Sequence, residues 1–150
     1  MPNIREKPLT GPMAWSADTL LENDGLISLD QDCLLELEHV AAEINANPFP
    51  AIALNPVDFD LSNCRVAMRQ VYDQITTGIG FAVIDRLPID HFSAESVTKM
   101  YWLLMSMISQ PVAQKWDGTL IYDVLDTGKK VGAGSDVRSS KTHAGQGYHI

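Results

Sequence analysis

Imidazoles are the first side chains to weigh for chemistry, because they ligate metals and move protons near neutral pH. The chain has four: His39, His91, His143 and His149. Only His143 and His149 share a neighbourhood. Their spacing misses the i, i+4 pattern of a helical metal pair, and no cysteine or carboxylate follows closely, so no zinc motif is formed. His39 lies off the apolar stripe of its helix among Glu36, Glu38 and Glu43, which reads as a solvated or locally paired histidine. Cys33 and Cys64 lie far apart, without a C-x-x-C or Cys/His spacing. Each falls inside a helical pattern and reads as a small core residue rather than a redox or metal group. The Met100, Met105 and Met107 cluster likewise reads as core filler. There is no Walker loop or G-x-S-x-G elbow. Gly78-Ile-Gly80 follows a helix and precedes a strand, the reverse of a dinucleotide-binding turn, and lacks the third glycine.

These residues must be carried by a chain of 150 residues with 11 Lys plus Arg against 19 Asp plus Glu, a formal net charge of -8. That length suits one hydrophobic core. The acidic balance and the scattered basic residues argue against nucleic-acid binding, since a phosphate backbone needs a concentrated basic patch. No apolar run approaches the roughly 20 residues of a membrane span, and the N-terminus lacks the apolar segment of a signal peptide. The expectation is a soluble, cytoplasmic protein.

Residues 1–24, with Pro2, Pro8, Gly11 and Pro12, predict an irregular arm that ends in a short helix, with Trp15 anchoring it. Residues 25–30 predict a short strand or an extended lead-in. Asp30 caps a helix over 31–46 whose apolar face is Leu34, Leu37, Ala41 and Ile44, and Asn47-Pro48 stops it. A second helix is predicted over 61–77, capped by Asp60 or Ser62, with Leu61, Cys64, Met68, Val71, Tyr72 and Ile75 on one face. Gly78 follows as the glycine beyond its C-terminus. The apolar run 79–85 predicts a strand buried on both faces. Ser93 caps a third helix over 94–109, with Val97, Met100, Tyr101, Leu104 and Ile108 inward. Trp116-Asp117-Gly118 predicts a turn and 119–124 a second strand. The Gly- and Ser-rich stretch 127–140 predicts a long loop, with order falling from Thr127 onward.

The order of these segments resembles a family. A helix leads into Gly78-Ile-Gly-Phe-Ala-Val-Ile-Asp-Arg-Leu-Pro88, and another ends in Ser109-Gln-Pro-Val-Ala-Gln114. Trp116-Asp-Gly-Thr-Leu-Ile-Tyr-Asp-Val124 comes next, followed by Val137-Arg-Ser-Ser-Lys-Thr142 and Tyr148-His149. From about Cys64 to Ile150 this is similar to the N-terminal half of the TauD/TfdA-type Fe(II)- and 2-oxoglutarate-dependent dioxygenases. The resemblance implies an α+β fold, with N-terminal helices and the first strands of a double-stranded β-helix of the jelly-roll or cupin kind. Residues 1–150 would then be a single, incomplete domain.

It further implies that His149 is the histidine of the family's H-x-D/E iron motif. Arg138, Ser140 and Thr142 match the segment before it, and Arg138 is a candidate for orienting an anionic substrate group. Fe(II) in such enzymes is held by two imidazoles and one carboxylate, leaving positions for 2-oxoglutarate and O2. His143 stands where relatives often carry asparagine. Ile150 is the x of the motif, so its carboxylate, the distal histidine and the arginine that grips 2-oxoglutarate do not occur among these residues. The expectation is a fragment of an oxidoreductase acting on a small-molecule substrate, inactive as given. The alternative is a non-catalytic interaction module or remnant that associates, for instance as a homo-oligomer, through an open sheet edge.

Overall fold

A computed structural model describes residues 7–8, 10–129 and 142. The chain divides into two compact units, residues 1–111 and 112–150.

In the first unit, Asp30 starts helix α1 (Gln31–Ala46) as expected. Its backbone is extended and its carboxylate accepts the Cys33 amide at 2.8 Å, satisfying one of the donors a helix leaves unpaired at its start. Helix α2 spans Ser62–Thr76 and helix α3 spans Ala94–Ile108, the latter capped by Ser93. Each of the three packs on the other two. Their shared core holds Leu37, Val40 and Ile44 of α1, Met68 and Val71 of α2, and Met100, Leu103 and Leu104 of α3. Leu61, the residue preceding α2, is buried with them.

Two helical faces differ from the sequence expectation. Tyr72 and Ile75 of α2 are exposed, and Arg69 stacks over the Tyr72 ring instead, 5.2 Å from its centroid. On α3, Tyr101 is exposed while Ser96, Lys99 and Trp102 are buried. The reason is that α3 is covered on two sides. Besides α1 and α2 it meets two 3-10 turns, Ala51–Ala53 and Pro56–Asp58, and the Trp102 Nε1 donates to the Leu54 carbonyl at 3.1 Å. An i, i+3, i+4 stripe describes one covered face and misses the second.

Strands β1 (Leu26–Ile27) and β2 (Val83–Ile84) pair in parallel, Leu26 opposite Val83 and Ile27 opposite Ile84. Parallel neighbours need a long crossover, and here it carries α1 and α2. The described chain is thus mixed α and β. The predicted strand 79–85 shortens to two residues and is not buried on both faces, since Val83 is 53% exposed. With a partner on one edge alone, the front half of the run serves the N-terminal arm instead. Ile79 accepts the Trp15 Nε1 at 2.8 Å, and Phe81 meets the Trp15 ring edge-on at 5.3 Å. Trp15 anchors the arm as expected, although residues 16–24 form turns and no helix.

Gly78 stands directly beyond the C-cap residue Thr77, as expected, but without the left-handed backbone. The positive φ in this region belongs to Gly80, at 87°. At Gly78 a Cβ would lie 2.8 Å from the Gln74 carbonyl oxygen, so close approach to the preceding helix is what calls for glycine there.

In the second unit, Lys115–Gly118 form the expected turn, with Gly118 at φ 86°. The Thr119 amide and hydroxyl both donate to Asp117 Oδ1, at 2.9 and 2.6 Å. The hydrogen bonds from Thr119, led by its hydroxyl, hold the Asp117 carboxyl below its ordinary value. Residues 119–124 are not a strand. β-Prone side chains make a strand only beside a partner, and among the described residues β1 and β2 pair with each other alone.

Candidate functional site

Arg138, Ser140, His143 and His149 lie outside the described residues, as does most of the predicted 127–140 loop. His39 and His91 are exposed. Among the described residues no group of three or more histidines, cysteines or carboxylates could hold a metal ion. A site for Fe(II) needs two imidazoles and a carboxylate converging on one face. Of that set the resemblance names His149 alone within these residues, and nothing among the described residues completes it.

The chemistry-bearing side chains that the fold does bring together lie where α1 meets the start of α2. Cys33 and Cys64 each occupy the third residue of their helix, and neither has any exposed surface. Their Cα atoms are 4.7 Å apart and their sulfurs are joined as a disulfide, within the separation a cystine spans. Both residues are in the core, as the sequence predicts. Their separation into two unrelated core residues is corrected, since packing of α1 on α2 closes the 31-residue gap in sequence.

Glu36, one turn after Cys33, reaches the same point. Oε1 accepts from the Ser62 hydroxyl at 3.0 Å and from the Asn63 amide and side chain, both at 2.8 Å. Oε2 accepts the Cys64 amide at 2.9 Å. Asp60 and Ser62 were the expected caps of α2, yet Leu61 stands at the cap position and no local side chain accepts its first amides. The carboxylate from α1 substitutes for the local cap and faces the positive end of the α2 dipole. Partial burial opposes its charge, but four hydrogen bonds from Asn63, Cys64 and Ser62 outweigh that and hold the carboxyl below its ordinary value. Glu36 is thus turned to α2, while His39 is exposed.

Among the described residues Lys99 is a buried charge. It is 4% exposed, and its ammonium reaches Glu95 one turn earlier at 2.6 Å. Glu95 is at the solvent edge, so the lysine stem covers apolar core while the head group is paired at the rim.

Sequence reasoning missed Cys33 with Cys64, Glu36 as a cap, and Lys99. A signal existed for the first. Both cysteines fall in the first turn of a predicted helix, and two helices packed by their starts bring such positions together. Nothing local to residues 60–64 could have named Glu36, because its ligands lie 26 to 28 residues away.

Compared with models of known families, the chain matches none. No curated protein matches it either.

Proposed function

We propose that this chain corresponds to the N-terminal half of a TauD/TfdA-type dioxygenase, the part that precedes and begins the iron motif. The observation that carries the reading is the series of five segments in order and spacing, running from Gly78–Pro88 to Tyr148-His149. The succession of α2, the short strand β2 and α3 ending before Pro111 is compatible with that series. Enzymes of this family oxidise a C–H bond while decarboxylating 2-oxoglutarate to succinate and CO2. His149 would be their first iron ligand, and Arg138 would orient an anionic group of a small-molecule substrate. In this reading the segment 119–124 is an early strand of a jelly-roll whose partners are supplied by later sequence.

One imidazole does not hold Fe(II) usefully, so these 150 residues alone are proposed to be inactive. Anaerobic titration with Fe(II) and 2-oxoglutarate should give no stoichiometric complex. Tight one-to-one binding by these residues would sink that statement. The family assignment is tested separately by any coding sequence continuing past Ile150. It should begin with Asp or Glu and later supply a histidine and an arginine, and another residue at the first position would overturn the assignment.

A second reading, an interaction module, is favoured by one observation. Trp116 is 99% exposed, and Val112, Val124 and Leu125 are each more than 60% exposed. Several large apolar side chains left exposed in one short stretch are what a contact surface would use.

A further inference from the structure

We propose that Cys33 and Cys64 are a reversible dithiol/disulfide couple, a redox latch between the starts of α1 and α2 that exchanges with low-molecular-weight thiols and disulfides. The backbone arrangement that carries the bridge also places an acceptor beside the Cys64 sulfur for the state in which the bond is open. For the oxidised state, a Cα separation of 4.7 Å needs no movement of either helix. For the reduced state, the Cys64 Sγ stands 3.2 Å from the Cys33 carbonyl oxygen. A sulfur bonded to another sulfur has no proton to donate, so that contact becomes a hydrogen bond only when Cys64 is a thiol. The helices are meanwhile held without the bond, by the four hydrogen bonds that the Glu36 carboxylate accepts from Ser62, Asn63 and Cys64. A bridge that was the sole link between its helices would be an obligatory staple, and this one has a parallel link beside it.

Local electrostatics make the exchange slow. Each thiol sits in the first turn of a helix, which favours the thiolate that attacks a disulfide. A carboxylate opposes this in both cases, Asp30 on the Cys33 amide and Glu36 on the Cys64 amide. Full burial of both sulfurs adds that reagent enters only through local opening. In oxidation, one protein thiolate attacks a small disulfide RSSR, forming a mixed disulfide and releasing one RSH. The second protein thiolate then displaces the other RSH. The protein loses two hydrogens, which leave on the two thiols, and RSSR is the species reduced. Reduction by two RSH is the reverse. In a reducing compartment the dithiol dominates, and in an oxidising one the latch closes.

The test uses the full chain equilibrated in glutathione buffers of graded redox poise, then unfolded and alkylated for intact-mass measurement, with circular dichroism and thermal melting alongside. The expected result is two alkylated thiols at reducing poise and none at oxidising poise, with no persistent single label and the same helical spectrum at both ends. The oxidised form should melt higher by roughly 10 °C, because the bond closes a loop of about 30 residues in the unfolded chain. Cys64→Ala should carry one label at reducing poise and at oxidising poise at most a glutathione adduct on Cys33, with no loss of two hydrogens and no rise in melting temperature between the two. Should that variant fail to fold, the labels and melting of the unaltered chain still decide. Two labels at the most oxidising poise would overturn the proposal. So would none at the most reducing poise with the fold intact, or loss of helix on reduction.

Discussion

Residues 31–108 and residues 112–125 are both rich in large apolar side chains, and the two stretches treat them in opposite ways. In the first, each helix finds two others, and Leu37, Met100 and Leu103 have no exposed surface at all. In the second, Val112, Trp116, Tyr122, Val124 and Leu125 all face solvent. Composition is therefore not what separates them. A helix satisfies its own backbone and needs only an apolar neighbour, whereas a β-prone stretch must borrow its backbone partners from another strand before it can bury anything. Each helix thus pairs its backbone within itself, whereas the stretch 112–125 has β-forming side chains without the ladder that would use them.

Substitutions in the two stretches should differ widely, and that contrast can be broken. The largest effect is expected at Leu37→Ala, which empties a fully buried position of α1 and should cost about 2–5 kcal/mol in urea unfolding. A cost below about 1 kcal/mol would mean that the helical core is not the packed unit described.

Glu36→Gln should come next, with a cost of about 1–2 kcal/mol near neutral pH from weakened charge-assisted hydrogen bonds at the start of α2. Because the folded carboxyl is held below its ordinary value, its contribution is complete above the ordinary carboxylate range. It is lost as pH falls through the lowered folded value. The unaltered chain should thus lose stability on acidification while the Gln variant loses less, and the two should converge once the pH lies below the lowered folded value. Parallel unfolding curves that keep their separation in acid would count against the cap.

The smallest effect belongs to Trp116→Ala, within about 0.5 kcal/mol, as for an exposed side chain without a partner. The same variant sharpens the second functional reading. If the exposed stretch is a contact surface, the mass in size-exclusion chromatography should rise with concentration in the unaltered chain and stay constant in the variant. A concentration-independent mass in both removes the interaction-module reading.

Much of the helical unit was legible in the sequence, for local reasons. Asp30 and Ser93 name the starts of α1 and α3 because capping needs only a side chain and an amide three residues on. Pro48 and Pro111 mark helix ends because proline restricts the residue before it. The faces of α2 and α3 were only half legible. Tyr101 belongs to the apolar stripe by spacing, yet it is Trp102 that enters a groove, because the turns near Leu54 cover a second side of α3. The strands were least legible. Runs 79–85 and 119–124 have strand composition, and how much of each pairs depends on what lies alongside. Of the expected site, His149 and Arg138 came from a resemblance in segment order and lie outside the described residues, so the structure adds nothing to them.

By itself, then, the sequence determined which residues are helical, where two helices are capped by their own side chains, and that Cys33, Leu37 and Cys64 go inward. These properties are written in spacing and in side chains within a turn of one another. Only the tertiary structure decided that Cys33 meets Cys64, that Glu36 rather than Ser62 caps α2, and that the apolar run before Asp85 gives its first residues to Trp15. Each of those contacts joins residues more than 25 positions apart, and such a contact exists only once the helices have packed and set the distance between them.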